Sequence, residues 1–233
     1  MCDASNAVRV ERLGMLVDNQ LGIVRKFQGA NEQAMLDLSL NKEHGHLLKS
    51  MWIDVKKDFD SIDHKYLVEC ISKLGFPKWI TCFVKEITSK WSLDVRAGLE
   101  RIVNKRVNKR ILQDDSFISP IFVLCIDPLS RRLNERYPKV SIHAEEILHA
   151  TNHLLFIDDL KLLATNSTVM GNMVKETESF FKAIGLEINR EKSATNDSQC
   201  ENTAILLDST GLYKYLGIIE DHNCNISENH SRR

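Results

Sequence analysis

His153-Leu154-Leu155-Phe156-Ile157-Asp158-Asp159-Leu160-Lys161-Leu162-Leu163-Ala164 is the stretch on which the reading of this 233-residue chain turns. Two apolar segments, 154–157 and 160–163, flank a pair of adjacent aspartates, the pattern of a β-hairpin with two carboxylates at its turn. An Asp-Asp pair at a turn is, taken alone, most often plain turn chemistry. Strands this apolar belong in a core, however, and ending them in two acids is costly without a reason. Upstream, Met51, Ile53 and Val55 alternate with Ser50, Trp52 and Asp54, the period of a strand with one face in the core. Asp54 then sits near the strand end on the other face. Adjacent core strands can bring Asp54 beside Asp158 and Asp159. Carboxylates clustered in this way raise one another's pKa unless a cation lies between them. Mg²⁺ takes a few such carboxylates together with substrate phosphates. A pair of ions about 3.5–4 Å apart can stabilise both the attacking and the leaving oxygen of phosphoryl transfer.

Around this centre the chain alternates short strands and helices. Residues 11–45 read as mostly helical, with Asn31 as a cap for a helix carrying Ala34, Met35 and Leu38. A helix from Asp63 buries Leu67, Val68, Ile71 and Leu74 and ends at Gly75. Pro77 opens the next helix, whose stripe is Trp79, Ile80, Phe83, Val84 and Ile87. Strands are expected at Ser92–Ala97 and near Arg101–Val107, with Gly98 at the turn between them. Ser119 and Pro120 form a cap and first-turn proline for a helix over Ile121–Asn134. After the hairpin, a long helix carries Met170, Met173, Val174, Thr177, Phe181 and Ile184 and is capped by Gly185. Leu212–Ile219 reads as one more strand.

Composition sets the outer limits. With 43% hydrophobic and 27% charged residues the chain is globular rather than disordered. The longest apolar run, Ile118–Ile126, is broken by Ser119 and Pro120 and is about half of a membrane span. No charged-then-apolar leader opens the sequence, so an intracellular protein is expected, with nucleus and cytoplasm not distinguished. Six cysteines without a CxxC pair suggest neither a disulfide framework nor a zinc ribbon. A net charge of −1 argues against a strong nonspecific grip on nucleic acid through bulk electrostatics. A local basic stretch does exist, with Arg96, Arg101, Lys105, Arg106, Lys109 and Arg110 set against Asp94 and Glu100. It suits either a hairpin facing a phosphate backbone or a solvated edge strand protected by its charges.

The order of these segments resembles the reverse transcriptases of non-long-terminal-repeat (LINE-type) retrotransposons over roughly residues 15–220. Asp54-Val55-Lys56-Lys57-Asp58-Phe59-Asp60 resembles motif A. Leu112-Gln113-Asp114-Asp115-Ser116 followed by Ser119-Pro120 resembles motif B, and Phe156-Ile157-Asp158-Asp159 resembles motif C. Gly185-Leu186-Glu187-Ile188-Asn189 with Lys192 is similar to motif D, and Tyr215-Leu216-Gly217 to motif E. Upstream, Gln20-Leu21-Gly22 and Gln28-Gly29 followed by Glu32-Gln33-Ala34 look like a fingers segment. Each motif is weak alone, but five in order are specific.

The resemblance implies an α+β right-hand polymerase palm, an antiparallel sheet with helices packed on one face, plus partial fingers and no complete thumb. It divides the chain into a partial fingers segment (1–46), the palm (47–220, with a fingers insertion around 92–112) and a disordered polar tail (221–233). Asp54, Asp158 and Asp159 are the implied catalytic residues and ligands of two Mg²⁺ ions, with Mn²⁺ as a substitute. Phe59 would be the steric gate against a ribonucleotide 2′-hydroxyl. Gln113 would line the incoming nucleotide, and Lys192 would serve the leaving pyrophosphate. The implied partners are an RNA template, a DNA primer and deoxynucleoside triphosphates, with no membrane and with the oligomeric state open. The implied activity is RNA-directed DNA polymerisation. The alternative is a decayed, catalytically inactive fragment with at most weak nucleic-acid binding. Three departures motivate that alternative: Asp58 stands where the family has a small residue, and Arg110 and Asp114 stand where motif B has glycines.

Overall fold

The computed structural model describes residues 29–56, 62–98, 100–107, 118–144, 147–208 and 210–223. The expectations for residues 11–28, for Asp58, Phe59, Arg110, Gln113 and Asp114, and for the tail beyond 223 lie outside the described residues. In chain order the elements are α1 (Gly29–His44), β1 (Lys49–Ile53), α2 (His64–Lys73), α3 (Lys78–Lys90), β2 (Ser92–Ala97), β3 (Glu100–Arg106), α4 (Ile118–Arg136), β4 (Val140–Ala144), β5 (Ile147–Thr151), β6 (His153–Phe156), β7 (Asp159–Ala164), α5 (Ser167–Ile184), β8 (Ala194–Thr195), β9 (Ile205–Leu206), β10 (Leu212–Tyr215) and β11 (Ile218–Asp221). No described helix is long and apolar enough to cross a membrane.

A five-stranded sheet in the order β6-β7-β1-β8-β9 forms the centre, antiparallel except for the short β8–β9 pair. Alternation along each strand divides the side chains between two faces. Met51, Ile53, Leu155, Leu160, Leu162 and Ala164 enter the main core, with Leu67 and Ile71 of α2, Phe122, Ile126 and Leu129 of α4, and Met170, Val174 and Phe181 of α5. Trp52, Leu154, Lys161 and Leu163 point to the opposite face. There a smaller core joins Leu163 and Leu154 to Leu40 of α1 and to Val140 and Ile142 of β4.

The helix ends follow local chemistry. The Asp63 side chain caps α2 by accepting from the Lys65 N–H at 2.7 Å. Asn166 caps α5 through the Val169 N–H, and Gly185 ends it in the left-handed region. Asn152 donates to the Leu133 and Tyr137 carbonyls and so satisfies the C-terminal end of α4. Beside it, Ser130 Oγ lies 2.5 Å from His153 Nε2, whose ring burial pushes down to about 3. This joint is sealed in the core and is structural.

Several local expectations are corrected. Asn31 lies inside α1 rather than capping it, and Met35 is 68% exposed, because the buried face of α1 is Gln33, Ala34, Asp37, Leu40 and Asn41. Trp79 and Phe83 are exposed on α3, where only Val84 and Thr88 are fully buried. Pro120 lies in the first turn of α4 as expected, while Ser119 lies inside that helix, which begins at Ile118, rather than capping it. The single strand expected at 212–219 is a hairpin, β10–β11, turned by Leu216 (φ 47°) and Gly217 (φ 86°), the paired positive φ of a type I′ turn. The β4–β5 hairpin was not anticipated. β11 extends to Asp221, and the His222 carbonyl accepts from Asn196.

The face away from the helical core holds an unusual group. Lys161 is fully buried, and its Nζ reaches Asp37 at 2.6 and 2.7 Å and Glu220 at 3.0 and 3.3 Å. It also lies 4.7 Å from the Trp52 ring centre. The Trp52 indole N–H donates to Glu220 at 2.8 Å, and Asn41 donates to the same carboxyl at 3.2 Å. Gln33 meets the Tyr215 hydroxyl at 2.6 Å. With its amide oxygen turned towards that hydroxyl, it also pairs with the Leu155 N–H and C=O, both at 3.2 Å. α1 thereby satisfies backbone groups on the outer edge of β6. Lys161→Met leaves Asp37 and Glu220 buried without their cation, and the expected cost is about 3–5 kcal/mol, read by urea unfolding.

Candidate active site

Pairing of Phe156 with Asp159 leaves Ile157 and Asp158 as a two-residue loop. Asp158 therefore tips the hairpin, while Asp159 is the first residue of β7 rather than part of the turn. Ile157 takes φ 58°, a conformation that costs a β-branched residue about 1–3 kcal/mol. Its side chain packs against the main core, which offsets part of that cost. On the neighbouring strand Ile53 pairs with Leu160, so the next register position sets Asp54 opposite Asp159. The Asp159 carboxyl is pushed up to about 6, first by burial and then by the charges of Asp158 and Asp54. The three predicted carboxylates are thus close enough to feel one another.

Asp54 is braced by the segment that follows α5. Its N–H donates to Ser193 Oγ at 3.0 Å, and its carbonyl accepts from the Asn189 N–H at 2.8 Å. Its Oδ2 accepts from Asn189 Nδ2 at 3.0 Å. Val55 bridges Ile188, and the Lys56 N–H donates to the Glu187 carbonyl at 2.8 Å. Lys56 and Glu187 also form an exposed ion pair at 2.8 Å, worth little in water. Lys192 lies in this segment and is exposed; its N–H donates to the Asn189 carbonyl at 3.1 Å. The fold brings the Lys192 turn beside Asp54, with Asn189 rather than Lys192 touching the carboxylate.

Two residues with a place at the site were missed. Asn189 falls within the motif D stretch, and its separation of 135 residues from Asp54 offers no local signal. Tyr213 of β10 lies against Trp52, with ring centres 5.4 Å apart. Its phenol is raised by burial and then by Asp159 and Asp54, which places it beside the carboxylates. Its one sequence signal is the alternation of Tyr213 with Tyr215 ahead of Leu216-Gly217.

The donor set is all oxygen, which suits a hard divalent ion. Among the described residues no three His, Cys, Asp or Glu side chains are arranged to hold an ion unaided. Mg²⁺ keeps waters and substrate phosphates among its ligands, so a site that takes it need not be an all-protein cage. Asp54, Asp158 and Asp159 would contribute carboxylate oxygens to such a shell.

An antiparallel sheet backed by helices, with carboxylates at the ends of two neighbouring strands, is a polymerase palm. Residues 6–219 match the model of the family described as reverse transcriptase (RNA-dependent DNA polymerase), and the chain belongs to that family. It is similar to a Pol polyprotein of the retrotransposable element R2 from Popillia japonica, 26% identical over 68% of this chain and 26% of that protein. The R2DM Pol polyprotein of Drosophila melanogaster is 27% identical over 82% of this chain and 18% of its own length. The chain thus spans about a quarter or less of the length of these relatives. Among solved structures, apo telomerase from Candida tropicalis matches 97% of this chain and 41% of its own, with a TM-score of 0.66 and 12% identity. That likeness is one of fold.

The raised carboxyls fix the sign of the pH dependence. Asp159 (about 6) and Glu220 (about 8) bind protons in the folded state that the unfolded chain has already released, so stability falls as pH rises from about 4 to about 8. Asp54→Asn removes one repelling charge. Burial and Asp158 still hold Asp159 up in that variant, so it should lessen but not abolish the part of that fall between about 4 and 6 and raise Tm at neutral pH by less than the roughly 2–4 °C that a full kcal/mol would give a chain of this size. Thermal melts across pH check both.

Proposed function

We propose that this domain catalyses template-directed addition of deoxynucleotides to a DNA primer on an RNA template. The observation that carries this reading is the juxtaposition of Asp54 with Asp158 and Asp159, braced on one side by the hairpin turn and on the other by residues 187–193. Asp54, Asp158 and Asp159 would hold two Mg²⁺ ions, with Mn²⁺ as a substitute. When bound, the ions supply charge neutralisation for the attacking primer hydroxyl and the leaving pyrophosphate. The protein's own part is to hold three carboxylates in register, so that no reorganisation is needed as charge develops. Phe59 is assigned to exclusion of the ribose 2′-hydroxyl, Gln113 to the incoming nucleotide and Lys192 to the leaving group, each from its place in the family's motifs. Lys192 is free to act in that way because its side chain stands in solvent on the turn that touches Asp54.

The RNA template is supported by the family, and a telomerase from Candida albicans matched in fold was solved with a telomeric RNA fragment. The β2–β3 hairpin adds exposed Arg96, Lys105 and Arg106 beside exposed Ile102 and Val103, a surface suited to a phosphate backbone. A second reading, a folded but inactive copy, is favoured by the sequence: Asp58 adds a negative charge where the family has a small residue, and Arg110 and Asp114 replace glycines of motif B. Primer extension on RNA with Mg²⁺ and deoxynucleotides separates the two. Extension that falls more than about a thousandfold in Asp158→Ala, a loss of about 4 kcal/mol of transition-state stabilisation, supports the polymerase. Absence of extension in the folded parent, restored by Asp58→Ala with Arg110→Gly and Asp114→Gly, would establish the inactive copy.

A further inference from the structure

Asp54 stands one residue beyond the β1–β7 ladder, where the sheet no longer dictates the direction of its side chain. The contacts that do are those of Asn189. Its backbone N–H takes the Asp54 carbonyl at 2.8 Å and its side-chain amide takes Oδ2 at 3.0 Å, a two-point clamp by one residue on another. With the main chain held and one carboxylate oxygen engaged, the plane of the carboxylate is fixed, and with it the direction of Oδ1. The asparagine is not there to ease a left-handed turn. Among the described residues the non-glycine positions with positive φ are Ile157 and Leu216. Its carbonyl is also committed, accepting from the N–H groups of Lys192 at 3.1 Å and Ser193 at 2.9 Å. Ser193 closes the circuit, since its Oγ accepts from the Asp54 N–H at 3.0 Å. Residues 189–193 therefore form one hydrogen-bonded turn that holds the Asp54 N–H through the Ser193 hydroxyl, its carbonyl through the Asn189 N–H and its carboxylate through the Asn189 amide.

We propose that Asn189 is a positioning residue that orients the Asp54 carboxylate and thereby sets the affinity of the site for divalent cations. This rests on the metal-dependent reading of the carboxylates given above. An amide donor on one oxygen of a ligating carboxylate orients that ligand for the ion, and removal of such outer partners commonly weakens metal affinity by about 10–100-fold. The same turn carries Lys192. The group assigned to the leaving pyrophosphate and a carboxylate assigned to the ion are thus parts of one rigid unit.

The test is Mn²⁺ binding to the full chain, followed by electron paramagnetic resonance of the free ion, in the parent, Asn189→Ala, Asn189→Leu and Asp54→Ala. Circular dichroism verifies folding of each. Asn189→Leu keeps most of the side-chain volume while removing the donor, and so separates packing from orientation. The expected result is a Kd for Mn²⁺ raised about 10–100-fold in both Asn189 variants and binding lost in Asp54→Ala. Folded Asn189 variants with the parent's Kd, alongside loss of binding in Asp54→Ala, would overturn the proposal and leave the carboxylate reading standing. Equal Mn²⁺ binding by the parent and Asp54→Ala would overturn both.

Discussion

An ammonium group shut away from water is the constraint on which the arrangement of this domain depends. Removing a lysine head group from solvent costs several kcal/mol, and only well-placed counter-charges offset it. Lys161 obtains them from two directions: Asp37 arrives on α1, and Glu220 arrives on β11, far along the chain. Trp52 supplies a ring face and an indole N–H to Glu220, and Tyr215 a second ring at 5.5 Å. A two-stranded ribbon such as β10–β11 is marginal alone; here it is fastened because the lysine requires it. Glu220 is itself held up at about 8, chiefly by burial and against the pull of Lys161, and Asp37 pushes it further in the same direction. Burial thus favours the protonated form of Glu220 beside the Lys161–Asp37 ion pair.

The same face of the sheet carries the candidate site. Asp159, Lys161 and Leu163 succeed one another along β7; Trp52 and Ser50 of β1 lie opposite the last two, and Asp54 follows just past the end of β1. Residues two apart on a strand lie about 7 Å apart. The carboxylate row therefore sits directly above the Trp52–Lys161 row, and Tyr213 bridges the two by packing on Trp52 beside the carboxylates. Repulsion among acids and the positive φ of Ile157 both work against folding. Both are confined to this one corner, where a tight turn and a sealed charge cluster hold the backbone in place.

The carboxylate strands were legible because their signal is local. Period-two alternation at 50–55 and paired apolar runs at 154–163 require no knowledge of the rest of the chain. Helix ends were legible where the cap is a single residue, as at Asp63 and Gly185. What stayed hidden depends on long-range partners. Lys161 sits in an apolar run and gave no sign of having Asp37 and Glu220 for company, 124 and 59 residues away. Trp79 belongs to the apolar stripe of α3, yet it is 59% exposed; α2 is the described element against which α3 packs most. Asn31 has the chemistry of a cap, but the helix already begins at Gly29. Asn189 illustrates the limit most clearly, because an asparagine in a loop carries no mark of the carboxylate it will meet.

That meeting is produced by chain geometry. β7 starts at the site with Asp159 and runs away from it for six residues, about 20 Å. Any later segment that is to touch Asp54 must travel back. α5 does so with 18 residues, about 27 Å of helix, packed along the underside of β7 and β1. The return overshoots the strand and needs a sharp reversal to come level with Asp54. Gly185 makes it at φ 87°, and the Leu186 N–H closes the turn on the Phe181 carbonyl at 2.8 Å. Ile188 then bridges Val55, Asn189 reaches Asp54, and β8 continues the sheet on the far side of β1. Hairpin, helix and reversal form one loop of chain that leaves the site at Asp159 and re-enters it at Asn189. The two sides of the carboxylate corner are therefore set by the length of a single helix.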